Sequence, residues 1–258
     1  MELNTIKVTK DGHIATIMIN RPEASNALNT QLAIDMYTAI THLEEDENIW
    51  AVIMTGVGEK AFCAGADLKE RKTMDDAAYI AQRKLIIKAF KAVDKFPKPL
   101  IAAVNGAAMG GGLIFALHCD FIYAAENAKI SMPEVKLGLV GGTVNIPRIC
   151  GKNKAKELLF TGRTITAREA KEEYDLVNKV FPQEELMDAA RKVAQEIANN
   201  APFAVAQAKK LINMGMEVDM DTAFALEVEC YNNAMHTEDR REGVRAFNEK
   251  RKPVYTGR

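Results

Sequence analysis

Two short glycine-centred stretches contain the residues whose types and spacing could do chemistry. KAFCAGADLKER (Lys60–Arg71) sets small residues around Gly65 and Ala66, and NGAAMGGGLIF (Asn105–Phe115) contains three consecutive glycines. Each stretch follows an apolar run and leads toward a helical pattern, and backbone N–H groups at such a turn point outward, where they can donate to an oxygen. Two such turns that meet in space would hold one oxygen between two donors, so the pair predicts an oxyanion hole.

Other chemistries are disfavoured by the same residues. No Walker lysine follows the glycines, and GGGLIF lacks the spacing of a dinucleotide-binding fingerprint. The four histidines show no metal-ligand spacing. The four cysteines are scattered singly, which predicts reduced and mostly buried thiols rather than disulfides or a metal site. We therefore expect neither a metal nor a bound cofactor.

The elements that must position the two turns follow from the hydrophobic pattern. Four β-branched apolar runs bounded by Gly, Pro and Asn predict strands buried on both faces: Ile14–Asn20, Trp50–Gly56, Pro99–Gly106 and Asp120–Glu126. Apolar residues at three- and four-residue spacing between them predict helices over Leu28–Asp46 and Ala77–Phe96. The alternation indicates an α/β fold. After about Ala167, where Thr166 and Glu169 form a capping-box pattern, the sequence predicts mainly helices.

Composition limits the class of protein. The 258 residues are 48% hydrophobic and 27% charged, which is typical of a soluble globular protein. The 34 basic and 35 acidic residues nearly balance, and this argues against nucleic acid or an anionic membrane as the main partner. No apolar run is long enough to span a membrane, and the N-terminus has no signal-peptide core, so a cytoplasmic location is expected.

Five motifs in register give the sequence a family resemblance. They are NRPEASNALN (Asn20–Asn29), AFCAGADLKE (Ala61–Glu70), IAAVNGAAMGGG (Ile101–Gly112), PEVKLGL (Pro133–Leu139) and DRREGVRAFNEKRKP (Asp239–Pro253). In this order, and over nearly the whole chain, they resemble the crotonase superfamily of enoyl-CoA hydratases and isomerases. AFCAGADLKER, together with GMEVDMDTA and ECY further on, is most similar to the methylglutaconyl-CoA hydratase branch.

The resemblance implies a spiral core of ββα units over residues 1–195 and a helical oligomerisation region over residues 196–258. It also implies acyl-CoA thioester substrates and self-association as a trimer or a dimer of trimers. By motif position, the N–H groups of Ala66 and Gly111 form the oxyanion hole and stabilise an enolate. The residues expected to contact the substrate are Ala24, Asn26, Ala27, Leu28, Ala64, Ala66, Asp67, Leu68, Lys69, Gly110, Gly111 and Ile114, with Phe247 and Lys250 reaching the CoA of a neighbouring subunit.

The catalytic carboxylates depart from the family's pattern. Hydratases of the family usually carry two glutamates that hold and activate a water; the first position is Ile114 here and the second is Glu134. Single-glutamate members, notably the Δ3,Δ2-enoyl-CoA isomerases, carry a proton between C2 and C4. The resemblance therefore implies that Glu134 is the sole acid/base, provided that an apolar pocket brings its pKa near the working pH.

Several alternatives remain open from the sequence. The chain could be a hydratase that tolerates Ile114, a decarboxylase in which loss of CO₂ forms the enolate, or a non-catalytic acyl-CoA-binding or RNA-binding relative. The loop Gly138–Thr143 is about three residues shorter than in the family, and this loop normally lines the acyl pocket. His118 shares a helix face with Ile114 and could stand in as an acid, but we expect a core histidine bonded to backbone. Asp175 stands where the family has Gly, and Asp can adopt the left-handed conformation of a helix end.

Overall fold

The computed structural model describes residues 1–258, and a six-stranded sheet lies at its centre. In spatial order its strands are β1 (Ile6–Asp11), β2 (Ile14–Ile19), β3 (Ala51–Gly56), β5 (Leu100–Val104), β7 (Phe121–Ala125) and β10 (Lys179–Phe181). β1 and β2 form an antiparallel pair, and every other neighbouring pair is parallel. The four strands predicted from apolar runs are confirmed as β2, β3, β5 and β7.

A second, four-stranded sheet is built from strands of only three residues. It contains β4 (Ala61–Cys63), β6 (Ala107–Met109), β8 (Lys129–Ser131) and β9 (Thr164–Thr166). β4, β6 and β8 run parallel, and each follows a strand of the larger sheet along the chain. The chain thus steps repeatedly from the large sheet to the small one and then into a helix, which is the ββα spiral that the resemblance implies.

Ten helices complete the fold. They are α1 (Thr30–Glu45), α2 (Leu68–Arg71), α3 (Asp76–Asp94), α4 (Gly111–Leu117), α5 (Asn145–Thr161, interrupted at Gly151), α6 (Ala167–Glu172), α7 (Leu186–Ala198), α8 (Pro202–Gly215), α9 (Met220–Met235) and α10 (Glu238–Asn248). The capping box of Thr166 and Glu169 is present at the start of α6. Asp175 adopts the left-handed conformation, with φ of 56°, as predicted.

Burial of the large sheet explains why its central strands are uninterrupted apolar runs. Every residue of β3 and β5 is buried, because α7 packs on one face of the sheet while the small sheet and the helices α1, α3 and α4 enclose a larger core on the other. Parallel strands covered on both faces need apolar side chains on both faces. This core fixes the ends of β3 and β5, from which the two glycine turns project.

The C-terminal helices α8 and α9 lie apart from this core. α8 packs against α9, and neither makes an extensive contact with another helix or strand. Large apolar side chains on them are exposed, among them Ile212, Met216, Met220, Phe224, Val228 and Tyr231. The predicted boundary between residues 195 and 196 falls inside α7, which ends at Ala198. The division into a core and an oligomerisation region stays a prediction.

No helix in the fold combines the length and the apolar character that crossing a membrane would require.

Candidate active site

Two of the three glycines at the start of α4, Gly110 and Gly112, are required by the local structure. Gly110 has φ of 49°, a conformation that favours glycine, and its N–H donates to the carbonyl of Ser131 at 2.9 Å. A Cβ at Gly112 would overlap the carbonyl group of Cys63. Gly111 is the first residue of α4, so its N–H has no acceptor within the helix and is available to a ligand.

The loop around Ala66 lies directly against this turn. Gly65 has φ of 86°, and a Cβ there would lie 2.7 Å from the carbonyl oxygen of Met109. Leu28 bridges the loop on both sides of Ala66: its N–H donates to Gly65 at 2.7 Å, and its carbonyl accepts from Asp67 at 3.0 Å. The N–H of Ala66 itself has no backbone acceptor. Ala66 and Gly111 line one cavity, which is the arrangement that a two-donor hole needs.

A partly buried ion pair holds the Ala66 loop in place. The Arg21 guanidinium donates to the carboxylate of Asp67 at 2.9 Å, and these side chains are only 15% and 12% exposed. Arg21 also donates to the carbonyl of Ala27. The other oxygen of Asp67 accepts from the N–H groups of Lys69 and Glu70 and caps α2. Burial raises the pKa of Asp67, but the bonds from Arg21 and these N–H groups outweigh it, so the pKa lies below its ordinary value.

Asp67→Asn tests whether this pair positions the hole. The variant keeps the cap but loses the charge that holds Arg21, and leaving one partner of a buried pair unmatched is costly. We expect kcat on a CoA thioester to fall about tenfold to a hundredfold, as a misplaced donor does, with a smaller change in KM. Steady-state kinetics measure this. Asp188→Asn, at an exposed ion pair on α7, is the matched control and should leave both constants unchanged.

Glu134 opens a 3₁₀ turn over Glu134–Leu137, and its carboxyl group lies between the second glycine turn and the shortened loop. A Cβ at Gly110 would lie 2.6 Å from Oε1 of Glu134, and one at Gly141 would lie 2.8 Å from its carboxyl carbon. Oε2 is buried and has no hydrogen-bond partner. Burial, the largest influence, raises the pKa of Glu134, and a hydrogen bond from its own backbone and the charge of Arg71 oppose this rise.

The cavity that joins these groups has a volume of about 810 Å³. Only two carboxylates line it, Glu134 and Asp94, and Asp94 is bonded to His118. Ile114 also lines it and contributes an apolar surface at the position where the family resemblance implies a second glutamate. The site can therefore polarise an oxygen with two N–H groups and move a proton with one unpaired carboxylate.

The prediction that His118 is a core histidine bonded to backbone is wrong. Its Nδ1 lies 2.9 Å from the carboxylate of Asp94, at the end of α3, and the residue lines the cavity. Its ring lies 5.9 Å from that of Phe90. Sequence reasoning missed this pair because 24 positions separate its members, and no local pattern marks a contact between the C-terminal ends of two helices.

The predicted site residues fall into two groups. Those that line the cavity are Leu28, Ala64, Ala66, Leu68, Gly110, Gly111, Ile114 and Glu134. Those that do not line it are Ala24, Asn26, Ala27, Asp67, Lys69, Phe247 and Lys250. Within the second group, Asn26 is buried and its amide donates to the carbonyls of Val57 and Ala61, so its side chain braces the core. The ring of Phe247 is 83% exposed on α10.

The loop Gly138–Thr143 separates two cavities. Val140, Gly141 and Thr143 line the main cavity on one side and a second space of about 290 Å³ on the other. The second space is bounded mainly by apolar side chains, including Met132, Leu159 and Phe160, and Glu134 borders both spaces. The expectation that the length of this loop affects which acyl chain fits stays a prediction.

Comparisons with known proteins extend these observations. The family model described as Enoyl-CoA hydratase/isomerase matches residues 9–258. The short-chain-enoyl-CoA hydratase of Clostridium acetobutylicum is 45% identical over 98% of this chain and 97% of its own length. The enoyl-CoA isomerase/hydratase fer4 of Mycosarcoma maydis is 40% identical over 94% and 92%.

A solved structure agrees with both. The crystal structure of an enoyl-CoA hydratase from Bacillus anthracis superimposes with a TM-score of 0.96 at 42% identity, covering 99% of this chain and 100% of the other. The predicted α/β fold is confirmed. These names do not single out the methylglutaconyl-CoA branch, which stays a prediction.

Proposed function

Because the chain belongs to the enoyl-CoA hydratase/isomerase family of enzymes, which act on acyl-CoA substrates, we propose that it moves the double bond of an enoyl-CoA thioester with Glu134 as its sole acid/base. One observation carries this proposal: a single carboxylate without a hydrogen-bond partner on Oε2 borders the cavity of the two N–H donors. The other carboxylate of the cavity, that of Asp94, is engaged by His118.

The proposed reaction is a proton transfer through a dienolate. The thioester oxygen accepts hydrogen bonds from Ala66 and Gly111, and the carboxylate of Glu134 takes a proton from C2 of a 3-enoyl chain. The electrons of the broken C–H bond delocalise onto the thioester oxygen, and Glu134 then returns the proton to C4, which leaves a 2-enoyl thioester. No cofactor enters this proposal, because Glu134 gives back the proton that it takes.

The surroundings of Glu134 support this role. A thioester α-proton is weakly acidic, so the base benefits from a raised pKa and from a hole that stabilises the enolate. Burial supplies the first of these at Glu134. The side chain of Ile114 lines the same cavity and disfavours water there, which protects the dienolate from competing protonation.

Hydration is the second candidate, and it is favoured by relatives named short-chain-enoyl-CoA hydratase and crotonyl-CoA hydratase. Glu134 could take a proton from water as the water oxygen attacks C3, and then deliver a proton to C2. The attacking water would need a second hydrogen-bonding group to position it, however, and the side chain of Ile114 has no polar atom. The two reactions thus share the oxyanion hole and Glu134 and differ in whether water is held at C3.

A parallel assay tests the proposal. We expect the purified protein to convert 3-hexenoyl-CoA with a gain of the conjugated enoyl absorbance, faster than it removes that absorbance from crotonyl-CoA. Release of CO₂ from methylmalonyl-CoA is measured beside them. Faster loss of crotonyl-CoA would instead make hydration the function, and turnover confined to methylmalonyl-CoA would make it decarboxylation.

The CoA part of the substrate is proposed to lie along the N-terminal motif. Ala24, Asn26, Ala27 and Leu28 would contact the adenine and pantetheine through their backbone, as the family resemblance implies. Phe247 and Lys250 do not line the cavity of their own chain, which is compatible with their reaching the CoA of a neighbouring subunit. A Lys at that position would meet the 3′-phosphate as a point charge.

Self-association is a further part of the proposal. Apolar side chains are exposed on α8 and α9, among them Met216 and Phe224. Their exposure to water is unfavourable, and contact with other copies of the chain would bury them. We expect light scattering at micromolar concentration to give a mass near three or six times 28.5 kDa. A mass of one chain under these conditions would contradict this expectation.

A further inference from the structure

The far end of the main cavity differs in chemistry from its middle. Gly111, Ile114 and His118 follow one another along one face of α4, with Ile86 and Phe90 of α3 across from them. Between the oxyanion hole and His118 the wall is therefore apolar. Beyond it three polar side chains from three helices come together: Asp94 at the end of α3, His118 at the end of α4 and Asn145 at the start of α5.

The tautomer of His118 decides what this end can bind. A hydrogen bond to His118, the largest influence, lowers the pKa of Asp94, so this carboxylate is ionised at neutral pH and can only accept. The proton of the 2.9 Å bond must then lie on Nδ1 of His118. This leaves Nε2 without a partner in the chain, so it is available to bond a polar group of a ligand. The amide of Asn145, 3.5 Å from Nδ1, is too distant for a strong bond and can serve a ligand as well.

We propose that this end of the cavity is a subsite for a hydroxyl group on the acyl chain. A hydroxyl donates to Nε2 of His118 and accepts from the amide of Asn145, whereas a methyl end would leave both groups without a partner. A carboxylate would be repelled by the charge of Asp94. The cations that would favour a carboxylate are Lys91, which also lines the cavity, and Lys95 and Lys209, whose charges act on Asp94.

The position of the subsite bounds the chain length. His118 is seven residues beyond Gly111, so the two Cα atoms are about 10 Å apart along the helix, and the imidazole leans back toward the start of α4. An extended chain advances roughly 1.2 Å per bond, since three bonds of extended backbone cover about 3.6 Å. A chain of about six to eight carbons therefore reaches His118. This estimate rests on the proposed function only in placing the thioester at Ala66 and Gly111.

Calorimetric titration of the protein with saturated thioesters tests the subsite apart from any reaction. We expect 8-hydroxyoctanoyl-CoA to bind about fivefold to tenfold more tightly than octanoyl-CoA, which is the contribution of a typical hydrogen bond. 6-Hydroxyhexanoyl-CoA and hexanoyl-CoA cover the shorter length. Equal affinities within both pairs, or tighter binding of the ω-carboxylate octanedioyl-CoA, would overturn the proposal.

Variants of His118 separate recognition of the hydroxyl group from other roles of the Asp94–His118 pair. In His118→Leu the preference for the hydroxyl chain should disappear, and in His118→Gln, which keeps a polar amide, part of it should return. His236→Leu, at the end of α9, is the control and should keep the preference. A preference that survives in His118→Leu would contradict the assignment, whatever the overall affinity.

The outcome for the subsite does not depend on the reaction. If 3-hexenoyl-CoA is not isomerised but the hydroxyl preference holds, the proposed function fails and the subsite stands. If isomerisation is observed and the preference is absent, the reverse is true. If His118→Leu instead slows turnover of hydroxylated and plain chains alike, with no preference in the wild type, His118 acts on the chemistry and the subsite is refuted.

Discussion

Glu134→Gln is expected to lower the rate of double-bond migration by about 10³-fold to 10⁴-fold, the upper part of the range for a general acid–base. The amide has nearly the shape of the carboxyl group but cannot take a proton from C2. Because the N–H groups of Ala66 and Gly111 remain, binding of a saturated thioester should change little. Single-turnover absorbance with 3-hexenoyl-CoA measures the rate, and calorimetry with hexanoyl-CoA measures the binding.

The pH dependence gives this variant an internal check. Isomerisation needs the ionised carboxylate, and burial raises the pKa of Glu134, so kcat/KM of the wild type should rise with pH through a range above the usual pKa of glutamate. The residual rate of Glu134→Gln should lack this rise.

The variant should also be no less stable than the wild type at neutral pH. A carboxylate whose pKa is raised by folding destabilises the native state once the pH exceeds its unfolded pKa, and the amide removes that cost.

One result would change the account of the reaction. If Glu134→Gln keeps near-native turnover on the best substrate, then Glu134 does not shuttle the proton. A decarboxylase, in which loss of CO₂ forms the enolate and only the oxyanion hole is needed, would become the leading explanation. Glu184→Gln, a surface residue outside the cavity, is the matched control for the substitution itself.

Gly111→Pro should lower kcat/KM about 10²-fold to 10³-fold on every thioester that the wild type turns over, which is the usual effect of removing one donor from an oxyanion hole. Proline removes the N–H of residue 111 and is compatible with the first position of a helix. The expected loss follows from the missing donor, and circular dichroism with a thermal melt shows whether α4 and the fold persist.

Gly111→Ala is the companion variant, because it adds a Cβ and keeps the N–H. The new atom would lie 3.2 Å from Cδ2 of Leu28, which must shift slightly, and 3.5 Å from the ring of Phe90, an ordinary van der Waals contact. We expect a loss of no more than about tenfold, since the donor remains. Full activity of a folded Gly111→Pro would show that the hole lies elsewhere.

The fold could be predicted from the sequence where local pattern and burial agree. The four central strands and the long helices are confirmed, because continuous apolar runs and helical spacing are properties of neighbouring residues. The strands of the small sheet were missed: at three residues each, they are too short to show a period. β1 was missed as well, because its pattern IKVTKD becomes polar toward its end.

The candidate site was predictable only in part for a similar reason. The two glycine turns could be recognised because each is a short local pattern, and the motifs placed Glu134. Arg21 was missed although it lies within a quoted motif, because its role is defined by Asp67, 46 positions away. A buried carboxylate requires a partner, and this requirement was the available signal. The pairing of Asp94 with His118 had no such signal in the sequence.

The bridge that Leu28 makes to the Ala66 loop has a consequence for cooperativity. The proposed hole depends on three segments, around Leu28, Ala66 and Gly111, which contact one another in the folded chain. Fraying of any one segment displaces a donor or the backbone that positions it, so a partly unfolded molecule is expected to contribute almost nothing to turnover. The catalytic rate in mild denaturant should therefore fall in proportion to the fraction of fully folded molecules, so that a rate measurement reports global unfolding.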